Sequence, residues 1–213
     1  MVRIGAPVVV AVVACGVMVA YLPDSSAPVA STPVASAPPI VGAAQPSPSP
    51  TETPSDRTVP RAAPTRLSIP SVGIDAPIEE YTDADVVAHD GWVDPPSRDK
   101  VAWWSGGGTP GDPADNTVYL YGHVSYLEAV FNSLDAVTPG DEIAVTTEAG
   151  LLTYLVTDVL EPIAKSDLPL DATIAQAVPG RLILIGCYRP PDQGTQPTTH
   201  NLVVVARQVP ISP

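Results

Sequence analysis

Residues 181–187 read RLILIGC, a short apolar run that ends in Gly186 and Cys187 and is followed by the loop-forming sequence YRPPDQGTQPTT. Residues 117–123, TVYLYGH, have the same form and end in Gly122 and His123. Runs of this length that are rich in Val, Ile, Leu, Thr and Tyr and bounded by turn-forming residues predict β-strands. We therefore expect a thiol and an imidazole at the ends of two strands.

Short apolar runs bounded by turn-forming residues continue along the chain from Thr65 onward. Strands are predicted at 66–69, 74–78, 117–123, 141–147, 151–161, 181–187 and 201–209. The turn 70–73 and the short link 148–150 each predict a hairpin between the strands that flank them. Two helices, at 127–134 and 170–177, are too short to carry a helical fold. The sequence predicts a mainly β, mostly antiparallel barrel or sandwich with short helices.

The amino-terminal segment 4–22 is apolar and uncharged over 19 residues and is preceded by Arg3. About 20 such residues cross a bilayer as a helix, and the basic end stays in the cytoplasm. We therefore expect a single-pass anchor in the cell membrane with the remaining chain extracellular. A cleaved signal peptide is one alternative. Lipidation of Cys15 is another, because residues 12–15, VVAC, resemble a lipoprotein acylation box.

Residues 23–64 contain eleven prolines and no aromatic residue, and consist mainly of Pro, Ala, Ser, Thr and Val. Such a segment has too few large apolar side chains to offset the entropy of ordering, and its prolines favour extended polyproline II. We predict a disordered, semi-stiff linker here. The domain organisation is then an anchor or signal at 1–22, a linker at 23–64 and one catalytic domain at 65–213.

The charge of the chain argues against a nucleic-acid partner, and its cysteine content points to a free thiol. The net charge of −13 belongs to the predicted domain, since the first 64 residues carry equal numbers of acids and bases. Such a domain repels phosphate backbones, so nucleic acid is not an expected partner. The chain has two cysteines, and a disulfide between Cys15 in the membrane segment and Cys187 in the domain is geometrically excluded. Cys187 is then a free thiol in an exported protein.

Cys187 and His123 each have a plain structural interpretation. A free cysteine can close a core strand as a small apolar residue, and a lone histidine can lie at a barrel rim without any role. Their pairing favours chemistry, because an imidazole within reach of a thiol stabilises the thiolate and later protonates a leaving amine.

Residues 66–209 resemble a sortase. The matching strings are RLSIPSVGIDAPI (66–78), AWW (102–104), PGDPADNTVYLYGH (110–123), FNSLDAVTPGDEIAV (131–145), RLILIGC (181–187) and NLVVVARQV (201–209). The resemblance implies an eight-stranded barrel, with Cys187 as nucleophile and His123 as its partner, on the outer face of a Gram-positive bacterium. The Ala/Val/Pro-heavy composition is similar to that of actinobacterial sortases of class E/F.

The activity that this resemblance implies is transpeptidation. Such enzymes cleave the C-terminal sorting signal of a secreted protein, form a thioacyl enzyme, and transfer the protein to an amine of a cell-wall precursor or of a pilin lysine. No cofactor and no metal are expected for this chemistry.

Two positions depart from the sortase pattern. Sortases usually carry Thr immediately before the nucleophile, where this chain has Gly186. Their catalytic arginine lies at the start of the last strand, where this chain reads TTHN (198–201). Arg189, two residues after the thiol, is our tentative substitute for that cation. Asn201 or His200 is the neutral alternative, as a weaker donor to the oxyanion.

Two other functions compete with sortase activity. An L,D-transpeptidase also uses Cys and His on a β-rich fold, but its cysteine follows Ser-His-Gly, and here Ile185 stands where that histidine would be. The second alternative is a sortase-like domain that has lost catalysis and serves as a binding or scaffold module. The missing arginine and threonine favour it.

Overall fold

Eight β-strands form one closed barrel in the computed structural model, which describes residues 58–168 and 171–211. The strands are β1 (Pro64–Ile69), β2 (Ile74–Tyr81), β3 (Val101–Trp104), β4 (Val118–Gly122), β5 (Glu142–Thr147), β6 (Leu151–Ala164), β7 (Arg181–Cys187) and β8 (His200–Gln208). Their order around the barrel is β1-β2-β3-β4-β7-β8-β6-β5. The pairs β2/β3 and β4/β7 are parallel, and the other neighbours are antiparallel. The predicted mainly β fold is confirmed as a barrel.

The predicted anchor at 4–22 and the linker as far as residue 57 lie outside the described residues. Neither helix within 58–168 and 171–211 has the length and apolar content of a membrane span. Residues just before β1 already contact the barrel: the amide of Asp112 donates to the carbonyl of Val59 (2.7 Å), and the Val59 side chain packs against the core.

Both predicted hairpins are confirmed. A 3-10 turn at Pro70–Val72 joins β1 to β2, and Gly73 ends it with a φ of 69°, a left-handed conformation that glycine adopts without steric cost. In the link between β5 and β6, the hydroxyl of Thr147 accepts hydrogen bonds from the amides of Ala149 and Gly150, both at 3.1 Å.

The helices differ from the prediction. Helix α1 (Asp83–Ala88) was not predicted; it begins at a capping box, in which the Thr82 hydroxyl accepts from the amide of Asp85 and the Asp85 carboxylate accepts from the amide of Thr82. Helix α2 (Ala172–Ala175) is a single turn inside the predicted range 170–177.

The predicted helix at 127–134 is wrong. This segment forms bends and turns that end in a 3-10 turn at Leu134–Ala136. The side chain of Asn132 donates to the carbonyl of Leu127 (2.6 Å) and accepts from the amide of Ser125 (2.8 Å). A polar side chain that bonds the local backbone in this way competes with the helical hydrogen bonds.

The strands that end at the predicted site are apolar on both faces. Their inward side chains join the barrel core: Val118, Leu120, Leu182, Leu184, Leu202 and Val204. Their outward side chains form a second cluster: Tyr119, Tyr121, Ile183, Ile185, Val203 and Val205. Ile174 of α2, with Trp104 and Leu168, packs on this outer cluster. The segment between β6 and β7 therefore covers part of the outer barrel face.

Candidate active site

Strand register brings Cys187 and His123 together at one end of the barrel. Gly122 pairs with Gly186 across the parallel strands β4 and β7, so His123 and Cys187 are the next residues on neighbouring strands. On the other side of β7, Cys187 pairs with Asn201 of β8. Side chains alternate along a strand, which puts all three on the outer barrel face. His123, Cys187 and Asn201 thus form a row across β4, β7 and β8.

The residue before each reactive side chain is a glycine that points into the barrel. A Cβ on Gly122 would collide with the ring of Phe131, and one on Gly186 would lie 3.1 Å from a methyl of Val124. Phe131 is fully buried and closes this end of the core. The close packing under the row accounts for the glycine at position 186, where sortases usually carry threonine.

The row opens into a cavity of about 850 Å³. Its floor includes Tyr121 and Ile185 from the outer cluster. One wall is the C-terminal part of α1 with the segment 89–95 that follows it, and the other wall is the segment between β6 and β7. An apolar floor with a few polar groups at one end is typical of a binding site for a small molecule or an extended peptide.

The backbone of the first wall orients His123. The Nε2 atom of His123 lies 2.7 Å from the carbonyl oxygen of Pro95. A carbonyl oxygen only accepts hydrogen bonds, so Nε2 carries the proton and donates it to this bond. In the neutral ring Nδ1 is then the free base. Cys187 is partly exposed, and its thiol has no hydrogen-bond partner among the described residues.

Asn201 occupies the other side of the thiol. It is 9% exposed and lines the cavity, and its side-chain amide makes no hydrogen bond to any described residue. The amide atoms are not fully buried, so an amide without a protein partner beside the thiol is available to a ligand in the cavity.

A sortase-domain family model matches residues 67–209. The chain belongs to the sortase family. Among solved structures, it is similar to sortase A from Corynebacterium diphtheriae, a lid mutant (TM-score 0.51, 20% identity, 72% of this chain and 73% of that one). It is also similar to sortase A from Listeria monocytogenes (TM-score 0.51, 19% identity, 70% of this chain and 88% of that one). A search of curated proteins found no match.

At these identities the structural similarities concern the barrel fold. The family model adds that the domain is that of a group of cysteine transpeptidases. The predicted nucleophile and its partner lie at the ends of β7 and β4, which is where the sortase resemblance assigned them.

Two of the three predicted oxyanion donors, Arg189 and His200, do not line the larger cavity. Arg189 lines a smaller cavity of about 290 Å³, which shares Cys187 with the larger one. Its Nη1 atom donates to the carbonyls of Gly194 (2.5 Å) and Gln196 (3.3 Å) within its own loop. His200 is exposed and lines neither of these two cavities. Of the proposed oxyanion donors, Asn201 alone lines the larger cavity.

Tyr121 and Lys165 are among the polar residues of this cavity that sequence reasoning missed. Burial and the neighbouring Tyr119 raise the pKa of the Tyr121 hydroxyl above its ordinary value. It therefore remains a hydrogen-bond donor at neutral and mildly alkaline pH. The spacing of Tyr121 from His123 gave a signal, because residues two apart in a strand share a face. The sequence contains no such signal for Lys165, because its place in the cavity depends on the register of β6 against β8.

The wall between β6 and β7 is anchored at the far end of the barrel. The hydroxyl of Tyr119 donates to the carbonyl of Ile174 (2.5 Å). Arg181 is 4% exposed. It donates from Nε to the hydroxyl of Thr117 (3.0 Å) and from Nη2 to the carbonyl of Gln176. Arg181 is therefore a structural cation at the opposite end of β7 from Cys187.

Proposed function

We propose that this sortase is an active cysteine transpeptidase that cleaves a C-terminal sorting signal and transfers the protein to a cell-wall amine. The observation that carries the proposal is the row of His123, Cys187 and Asn201 at the end of a peptide-sized cavity with an apolar floor. A thiol, a base and a neutral donor on adjacent strands supply the groups that acyl transfer requires.

The reaction has two halves. In the first, the Cys187 thiolate attacks the scissile carbonyl, the C–S bond forms and the C–N bond breaks, and the leaving amine takes a proton from His123. In the second, the acceptor amine attacks the thioester, the C–N bond forms, the C–S bond breaks, and the amine's proton passes to His123. The Pro95 carbonyl supports His123 in both halves, because it holds Nε2 and leaves Nδ1 for proton transfer.

In our proposal Asn201 donates to the oxyanion of each tetrahedral intermediate. It is the residue paired with Cys187 across β7 and β8, and its amide has no competing partner in the described part of the chain. Arg189 stays a predicted alternative: its Nη1 atom is held by two loop carbonyls, whereas its Nε atom has no hydrogen-bond partner among the described residues.

Our proposal for the cellular location and partners of the enzyme is based on its sequence. We propose a single-pass membrane protein of the actinobacterial class E/F type, with its catalytic domain outside the cell. Its donors would be secreted proteins with sorting signals, and its acceptor an amine of a cell-wall precursor or a pilin. The apolar, uncharged segment 4–22 and the proline-rich linker support this arrangement.

A catalytically impaired binding or scaffold domain is the second possibility. The absence of an arginine from residues 198–201, where sortases usually carry one, and a thiol without a hydrogen-bond partner among the described residues favour it. The family match favours either sortase function over an L,D-transpeptidase.

The two possibilities are separated by trapping the intermediate. Full-length protein is mixed with a sorting-signal peptide, and Cys187 is examined by mass spectrometry for the thioacyl adduct. We expect the adduct in wild type, none in Cys187→Ala, and a rate lower by about 10² to 10⁴ in His123→Ala, because proton transfer is lost. A wild-type protein that binds the peptide but never forms the adduct is a scaffold.

A further inference from the structure

Lys165 lies near the row of His123, Cys187 and Asn201, just beyond the end of the neighbouring strand β6. Ile163 of β6 pairs with Asn201 of β8, and Lys165 is two residues further along, where its amide donates to the carbonyl of Thr199 (3.0 Å). Residues two apart share a strand face, and Lys165 lines the cavity that holds Cys187. The row of a base, a thiol and a neutral amide is therefore followed by a cation.

The ammonium group of Lys165 has no ion-pair partner in the described part of the protein. The acids that line the same cavity, Asp90 and Asp94, lie on the wall next to His123. Lys165 lies on the wall beyond Asn201. Among the acids and lysines that line the cavity, the two acids thus lie on one wall and Lys165 on the other; Asp167 and Asp171, in the same segment as Lys165, do not line the cavity.

Barrel geometry decides what this cation can reach. Two strand spacings separate Cys187 from Ile163 and two residues separate Ile163 from Lys165, so the Cα atoms of Cys187 and Lys165 are about 12 Å apart. Asn201 lies on β8, between the strands that carry Cys187 and Ile163, so its amide is the nearer donor to an oxyanion at Cys187. An extended peptide advances about 3.3 Å per residue, so the ammonium reaches side chains roughly one to three residues from the scissile bond.

We propose that Lys165 is a specificity-determining residue that selects donor peptides with a carboxylate, Asp or Glu, within three residues of the scissile bond. The substrate class rests on the proposed sortase function, whereas the charge recognition rests on the cavity. A carboxylate is the partner that an unpaired ammonium at the rim of an apolar cavity binds most strongly.

Binding to the Cys187→Ala variant tests this without turnover. Fluorescent sorting-signal peptides are compared in pairs that carry Glu or Gln at one position within three residues of the scissile bond. We expect one Glu peptide to bind about three- to tenfold more tightly than its Gln partner, as for a partly exposed charged hydrogen bond. The preference should decrease when salt is raised from 0.05 to about 0.5 M.

Lys165→Met in the same background should abolish the preference, and Lys165→Arg should retain it. Lys100→Met is the matched control, because Lys100 is the other lysine of the chain, pairs with Glu79 at 3.3 Å and does not line the cavity. No Glu preference at any position, or an equal one in Lys165→Met, overturns the inference. If wild type never forms a thioacyl adduct, the proposed function fails, and the binding comparison still decides the role of Lys165.

Discussion

Replacing Asn201 with alanine tests the least expected part of the site. Its side chain is paired with Cys187 across β7 and β8, is 9% exposed, and has no hydrogen-bond partner in the described part of the chain. Loss of one oxyanion donor costs about 10² to 10³ in rate, or about 2.7 to 4 kcal/mol of transition-state stabilisation. The free energy of unfolding should change by less than about 1 kcal/mol, because no partner is left unsatisfied.

The assay is the single-turnover rate at which a sorting-signal peptide acylates Cys187, measured by rapid quench and mass spectrometry. Asn201→Asp is the matched variant, since a carboxylate has the same shape but only accepts hydrogen bonds, and it should lose at least as much rate. Arg189→Ala and His200→Ala, measured in parallel, should stay within about threefold of wild type.

The reasoning is refuted if Asn201→Ala acylates within tenfold of wild type while Arg189→Ala loses a hundredfold or more. That result would mean that the guanidinium of Arg189 holds the oxyanion, either through Nε, which has no partner among the described residues, or after Nη1 leaves Gly194 and Gln196. If none of the three residues matters and Cys187→Ala is inactive, backbone amides hold the oxyanion.

Three further predictions concern the barrel. Gly186→Thr should lower the free energy of unfolding by about 1 to 3 kcal/mol in urea denaturation, because its Cβ would meet Val124 at 3.1 Å; unchanged stability would mean that Val124 moves aside. Burial raises the pKa of Tyr154, so the folded protein keeps this proton above about pH 10, where the unfolded chain loses it. Stability should then fall above pH 10 by up to about 1.4 kcal/mol per pH unit, and less steeply in Tyr154→Phe; equal slopes would contradict this. Deleting residues 1–64 should leave a folded domain with a lower Tm than a truncation that keeps Val59, which packs on the core; equal Tm values would show that this contact is dispensable.

Most of the strands could be predicted because their apolar runs are long and bounded by turn residues. β3 (Val101–Trp104) was missed as a strand, since it has four residues and the first three are all buried, which leaves no alternation to detect. The wrong helix at 127–134 has a physical cause as well. Its apolar spacing suggests a helix, but Asn132 bonds the local backbone and Phe131 is drawn into the barrel end.

The site could be predicted only as far as its chemistry is local. Cys187 and His123 are recognisable because each ends an apolar strand and the two types are complementary. Their proximity depends on the parallel pairing of β4 with β7, whose residues are more than 60 positions apart. Asn201 and Lys165 depend in addition on β8 lying between β7 and β6. Such long-range register is not visible in the local patterns of one sequence.

The two departures from the sortase pattern have different physical consequences. Glycine at position 186 fits the packing on the inner side of the barrel, where Val124 and Leu134 approach the position that a Cβ would take. In the proposed mechanism, asparagine at 201 replaces a charged donor to the oxyanion with a neutral one, which binds about half as strongly. His123 is then the one residue of the row that can become cationic beside Cys187. In the proposed reaction, thiolate stabilisation and proton transfer would both fall on this imidazole, and its bond to the Pro95 carbonyl would orient the ring for both.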